Sequence, residues 1–305
     1  MAPAIVDRRL ACPRDGAPLF ARGEGVACQA GHRFPRRGRA IDFRGEAAPG
    51  EAAQRDIYNG EVGHYAEGGD ELRRFVRDHL AGRVKSKQEL LLRALSGLSF
   101  APSPEVLEVG CNDGRYLSLA LALWRGRGIG LDIAERALER AALSGEGEFH
   151  LASACALPIA PASMDCVLAL DVYEHLGHDG FRRSLREAAR VLAEGGALVA
   201  YVVSQQDRFT LHETLRRMTG GALGVDAGDG HRYEDFVAPA LFREAAAEAG
   251  LAIERLDPYH GFWTLFADYW LPRTPRLAYR LLERLDVHLT REGYGNGYLA
   301  IARKK

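Results

Sequence analysis

From residue 104 onward, short apolar runs alternate with longer stretches of helical spacing. Val106-Leu107-Glu108-Val109-Gly110 has strand character and ends on a glycine, and the run from Tyr116 to Leu123 behind it is long enough for a helix. The pattern returns at 128–132 before 135–143, at 149–151, at 164–170 before 179–192, and at 197–203. Strands separated by helices predict βαβ units and a mostly parallel sheet covered on both faces, so the expected class is α/β. Further on, 239–249 reads as a helix, 252–259 as a strand and 298–302 as a closing strand. Upstream, Leu72, Phe75, Val76 and Leu80, then Leu90, Leu91, Leu95 and Leu98, fall at helical spacing, and Gly82 marks the break between two helices.

The segment before this alternation is short, arginine-rich and turn-rich, and Gly45 to Glu51 reads as a linker. The expected organisation is a small module at 1–45, a linker with N-terminal helices at 46–99, and the α/β domain at 100–305. Two stretches of that domain stand outside the alternation. One is an insertion at 204–238; the other is an aromatic segment at 259–296 that carries Phe262, Trp263, Phe266, Tyr269 and Trp270. Long loops of the first kind are usually lids or binding loops. The aromatic side chains suit an acceptor pocket, a dimer contact or a membrane-facing patch.

Composition narrows the function classes. With 305 residues, 47% hydrophobic and 27% charged, the chain is neither disordered nor collagen-like. Forty basic against 41 acidic residues leave a net charge of −1 and no global field for a polyanion, which favours a small-molecule partner over RNA. No apolar run approaches the ~18–20 residues of a membrane span, and the opening residues lack a signal-peptide core, so a cytoplasmic protein is expected. The five cysteines, 12, 28, 111, 155 and 166, are odd in number and read as reduced thiols.

The turn Glu108-Val109-Gly110-Cys111-Asn112-Asp113-Gly114 sits between the first strand and first helix of the domain, where a doubly wound sheet binds its ligand. A dinucleotide site wants Gly-x-Gly-x-x-Gly and a pyrophosphate, but here the glycines are four apart and the strand ends on an acid. That carboxylate suits a ligand with an amino group, while Gly110 and Gly114 let the backbone approach closely and Asn112 tolerates a left-handed conformation. Asp132, ending the second strand, is placed to accept hydrogen bonds from ribose hydroxyls. The ligand expected is an adenosine that carries an amino acid.

On these residues the chain resembles the class I S-adenosyl-L-methionine-dependent methyltransferases, over about 100–203 and 239–304. The resemblance implies a Rossmann-like seven-stranded sheet with helices on both faces. It places Leu151 to Pro158, with Ser153 and Ala154, against adenine, and Ile133 beside Asp132. It puts the 165–176 run at the fourth strand, with Asp171 facing the methyl group, and Tyr58 and Tyr65 over the donor. Two positions depart from the family: Ser153 stands where Asp is usual and Asn112 where a third glycine is usual.

On the acceptor side, Asp171, Glu174 and His175 with the later His231 form an oxygen-and-imidazole set that suits Mg²⁺ or another divalent metal. The set is similar to the metal site of some O-methyltransferases. The alternative is His231 or His175 as a general base without metal. At the front of the chain, Cys12-Pro13-Arg14-Asp15 and Cys28-Gln29-Ala30-Gly31-His32 have the outline of a zinc ribbon, with Asp15 where a second cysteine is usual. Arg33, Arg36, Arg37, Arg39 and Arg44 give this module a basic face able to touch phosphate. The expected activity is O-methylation of a small molecule such as a sugar, lipid or secondary metabolite. The alternatives are an RNA methyltransferase guided by the ribbon and a non-catalytic donor-binding regulatory protein, and a homodimer is compatible with all three.

Overall fold

The computed structural model describes residues 5–45, 55–56, 59, 69–80, 86–144, 146–204, 214, 217–220, 235–259, 261–270, 276–289 and 296–305. The larger sheet contains β5 (Glu105–Val109), β6 (Arg127–Asp132), β7 (Glu148–Leu151), β8 (Met164–Leu170), β9 (Leu192–Val203), β10 (Leu251–Tyr259) and β11 (Gly297–Lys304), preceded by four short strands described below. Its order is β10-β11-β9-β8-β5-β6-β7. From β9 to β7 every pairing is parallel, whereas β11 lies antiparallel to both β9 and β10. The chain leaves β5 toward β6 on one side and returns at β8 on the other, so a crevice opens at the carboxyl ends of β5 and β8.

Helices cover both faces: α1 (Gly69–Leu80), α2 (Ser86–Gly97), α3 (Arg115–Trp124), α4 (Glu135–Ala141), α5 (Gly177–Val191), α6 (Pro239–Glu248), α7 (Phe262–Trp270) and α8 (Arg276–Leu289). Alternation along the strands sorts the core into two layers. Val167 and Ala169 of β8 pack with Phe181 and Leu185 of α5 and Phe242 of α6. Cys166, Leu168 and Leu170 pack with Leu91 and Leu95 of α2 and Leu117 of α3. Strands buried on both sides read as near-continuous apolar runs, which is why period alone located them. The largest boundary difference is at β9, which starts at Leu192 rather than 197. Its first residues pair through a register shift, from Met164↔Leu192 to Cys166↔Ala197, around a left-handed Gly195. The bulge hides strand backbone under a polar, glycine-containing sequence.

The front module is an antiparallel sheet of β1 (Phe20–Arg22), β2 (Gly25–Ala27), β3 (Arg33–Arg37) and β4 (Ala40–Ile41), in that order. About 35 residues cannot bury a sufficient core alone. Here Leu10, Leu19, Val26, Phe34, Ile41 and Phe43 join the same apolar cluster as Ile129, Leu131, Leu157 and Ile159 of the domain. The module lies along the edge strand β7: the Phe43 N–H donates to the Leu151 carbonyl at 2.8 Å, and the Ile41 N–H donates to His150 Nδ1 at 3.3 Å. Burial holds the His150 imidazole down to about 4, so the ring stays neutral and Nδ1 remains an acceptor. Arg9 adds ion pairs to Asp7, Glu105 and Glu148, and the seam covers the carboxyl end of the outer edge of β7.

Candidate active site

At the carboxyl ends of β5, β6 and β8 lies a cavity of about 270 Å³, whose walls include Glu108, Gly110, Asn112, Asp132, Asp171 and His175. The turn after β5 sets its floor. Gly110 has φ +67°, and a Cβ there would lie 2.5 Å from Val172 Cγ2, so the backbone approaches the opposite wall more closely than any side chain permits. Asn112 (φ +47°) and Gly114 (φ +71°) are also left-handed, and they turn the chain sharply into α3.

The acids are held by backbone donors. Glu108 accepts the Leu117 N–H at 2.8 Å, satisfying an orphan donor in the first turn of α3 while its carboxyl borders the cavity. Burial, with Asp113 and Asp132 nearby, holds that carboxyl well above the ordinary carboxylate range. An arriving ammonium group would supply the missing counter-charge. Asp132 is clamped from two sides: Oδ1 accepts the Ala134 N–H and Oδ2 the Asn112 N–H, both at 2.8 Å. The clamp fixes the carboxylate at the cavity wall with lone pairs to spare, and burial raises its pKa.

The cavity brings together Glu108, Gly110, Asn112, Asp132, Ile133, Ala154, Asp171 and His175. Ser153 is used locally: its Oγ accepts the Cys155 N–H at 3.0 Å, and its neighbours Ala152 and Ala154 form the wall. Asp171 has φ +56° at the end of β8, an unfavourable conformation for a residue with a Cβ. Glu174 is 1% exposed and does not border the cavity; burial, and next the charge of Glu174, push the Tyr298 phenol up. Asp171, Glu174 and His175 therefore do not gather as one metal-binding group among the described residues. Tyr58, Tyr65 and His231 lie outside the described residues. The aromatic segment forms α7, and Phe262, Trp263 and Phe266 do not border this cavity.

Sequence reasoning missed Arg115 and Tyr116, which line the cavity from the first turn of α3. Arg115 is held by Asp113 (Nε to Oδ1 2.9 Å) and lies 5.3 Å from the Phe75 ring of α1. The Tyr116 phenol is pushed up by burial and by Asp171. The available signal was position: a helix that starts on the glycine turn aims its first residues at the ligand. The sequence places Arg44 on a basic face, yet its guanidinium donates to the Ile133 carbonyl at 2.9 Å and pairs with Asp42 at 2.6 Å. Arg37 also pairs with Asp42. Of the five arginines, Arg33, Arg36 and Arg39 are exposed and form no ion pair with an acid among the described residues.

A second group assembles in the front module. Ligand atoms of Cys12, Asp15, Cys28 and His32 lie within 4.8 Å of one another. His32 Nδ1 is 3.4 Å from both sulfurs and 3.1 Å from Asp15 Oδ2, and the Cys28 thiol is 3.3 Å from the same oxygen. A tetrahedral zinc with ligands at about 2.0–2.3 Å separates those ligands by roughly 3.3–3.8 Å, and these four separations lie within a few tenths of an ångström of that range, so the donor set suits one. All five cysteines are free thiols.

Residues 107–200, which supply β6, β7, β8 and nearly all the cavity, match the family model described as a methyltransferase domain. Over 198 residues the chain is 29% identical to an uncharacterized methyltransferase of Mycobacterium leprae, covering 60% of this chain and 71% of that protein. The geranyl diphosphate C-methyltransferase of Streptomyces coelicolor, solved with Mg²⁺, geranyl diphosphate and S-adenosyl-L-homocysteine, aligns with a TM-score of 0.52. That alignment covers 85% of this chain and 99% of the other at 14% identity, a likeness of fold. Because the matched segment is the one that folds into the clamped-acid cavity, the chain carries a class I S-adenosyl-L-methionine-dependent methyltransferase domain.

Proposed function

We propose that the enzyme methylates a hydroxyl oxygen of a small molecule. The observation that carries this reading is that an imidazole, His175, and a carboxylate, Asp171, border the same cavity as the donor-side acids. S-adenosyl-L-methionine supplies an activated methyl carbon, so the protein's task at the donor is alignment, for which the ceiling is about 7–11 kcal/mol. In this reading Glu108 faces the donor's amino group, Asp132 its ribose, and Ala154 and Ile133 flank the base. A hydroxyl acceptor must lose its proton, and His175 or His231 accepts it with Asp171 at hand. The walls near His175 include Leu170, Val172 and Leu176, which suits an acceptor with an apolar part.

The test is incubation with labelled donor and separate small-molecule and RNA fractions, with and without chelator. Label in the small-molecule fraction, lost in His175→Ala or His231→Ala while donor binding persists, supports the reading. Label in RNA, or donor binding without product from any extract, refutes it in favour of an RNA enzyme or a regulatory protein. Chelator-insensitive turnover would exclude a divalent metal at the acceptor.

In the same reading, Cys12, Asp15, Cys28 and His32 hold structural zinc. Burial, with Asp15 next, pushes the Cys12 thiol up to about 11, so the metal must displace a proton there. Metal analysis after gel filtration tests this; well-folded protein without zinc would rule out ligation.

A further inference from the structure

The pair α7–α8 presents its apolar surface to the wrong side. On α8 the acids face inward. Asp286, 5% exposed, accepts the Trp263 and Thr264 N–H groups at 2.9 Å each and so caps the start of α7, while Glu283 pairs with Arg93 of α2. The opposite side carries Leu277, Leu281 and Leu285, which are 72%, 54% and 50% exposed. Arg280 and Arg284 are exposed beside them. At about 100° per residue these five side chains fall in one arc of about 140°, leucines along one flank and arginines along the other. Nine large apolar side chains are exposed among the described residues, and five of them belong to α7 and α8, the other two being Trp263 and Phe266. Single exposed leucines need no explanation, but a periodic row of them does.

We propose that α8 docks this enzyme on an anionic phospholipid surface. The arc contains two cations and no acid, because both acids of the central helix are engaged inward. A second copy of the chain laid on the same arc would oppose arginine to arginine with no carboxylate to relieve it. Lipid phosphates pair with the arginines, and acyl chains receive the leucines at the depth reached by a helix lying in the interface. No helix among the described residues is long and apolar enough to cross a membrane, so the contact is peripheral. Docking is independent of the acceptor assignment, since a surface-bound enzyme can methylate either a lipid or a soluble molecule.

The experiment is flotation of the full chain with phosphatidylcholine vesicles, pure or with one third phosphatidylglycerol, at low and physiological salt. The expected result is binding to the anionic vesicles that weakens with salt. Arg280→Gln with Arg284→Gln lowers that binding about 30-fold. Leu281→Ser with Leu285→Ser lowers it at least about tenfold. Both variants keep the wild-type melting temperature and donor affinity, which separates lost docking from lost fold. Absence of flotation, or flotation unchanged in both variants, overturns the proposal. So does concentration-dependent dimerisation that the leucine variant abolishes, which would make a second copy the occupant.

Discussion

Asp132→Asn changes the chemistry of one atom and almost nothing of the side chain's shape. In the native enzyme each carboxylate oxygen already accepts one backbone N–H, from Ala134 and from Asn112, at 2.8 Å. An amide has a single acceptor oxygen. Whichever way it turns, its NH₂ faces one of those two donors, and the Ala134 residue is fully buried. A buried donor left unpaired costs about 1–3 kcal/mol, while removing a charge that burial disfavours returns part of that. The net loss of stability should be about 1 kcal/mol. Donor binding suffers more, because the ribose hydroxyls lose a charged acceptor worth about 2 kcal/mol, or about 30-fold in affinity. Calorimetric titration with S-adenosyl-L-methionine, alongside urea unfolding, separates the two effects. A dissociation constant within about twofold of wild type in a folded variant would show that Asp132 does not hold the donor.

Three further outcomes follow from the geometry. Gly110→Ala combines a left-handed backbone with a Cβ 2.5 Å from Val172, and should cost about 3 kcal/mol in urea unfolding and abolish measurable donor binding; a loss below half a kcal/mol would refute the close approach. Arg44→Ala removes the bond from the front module to the Ile133 carbonyl on the cavity wall and should weaken donor binding about fivefold with little change in melting temperature, so unaltered affinity would uncouple the module from the site. His150, depressed to about 4 from an ordinary 6.5, binds fewer protons folded than unfolded between those values. Its contribution is therefore present above 6.5 and is lost as pH falls toward 4, by up to about 3 kcal/mol, and a His150→Gln variant should flatten that part of the stability profile.

The strand-and-helix alternation was legible because parallel strands buried on both faces must be apolar along their length, and nothing but hydrophobic order is needed to see that. Glu108, Gly110 and Asp132 could be found for a related reason: a βα junction has a fixed place in the fold, so the residues on it inherit a position. Arg115 and Tyr116 share that junction, but their helical spacing concealed them as ordinary helix residues. The start of β9 was illegible because residues 193–196, between the paired Leu192 and Ala197, bulge out of the ladder around Gly195 and carry no strand signature.

The sequence by itself determined the sheet, the order in which acids and glycines line the cavity, and the Cys12, Asp15, Cys28 and His32 spacing. Only the tertiary structure decided what long-range contacts do with the remainder. Glu174 looks like a ligand in its run, yet the short turn at Tyr173–His175 buries it and leaves His175 on the cavity. Arg37 and Arg44 look like a phosphate face, yet Asp42 takes both. On α8 an inward Asp286 and Glu283 turn the leucines out, against the pattern that hydrophobicity alone would set. In each case the deciding partner is distant or the deciding orientation is three-dimensional, and a local pattern of residues carries no information about which of its faces a neighbour will claim.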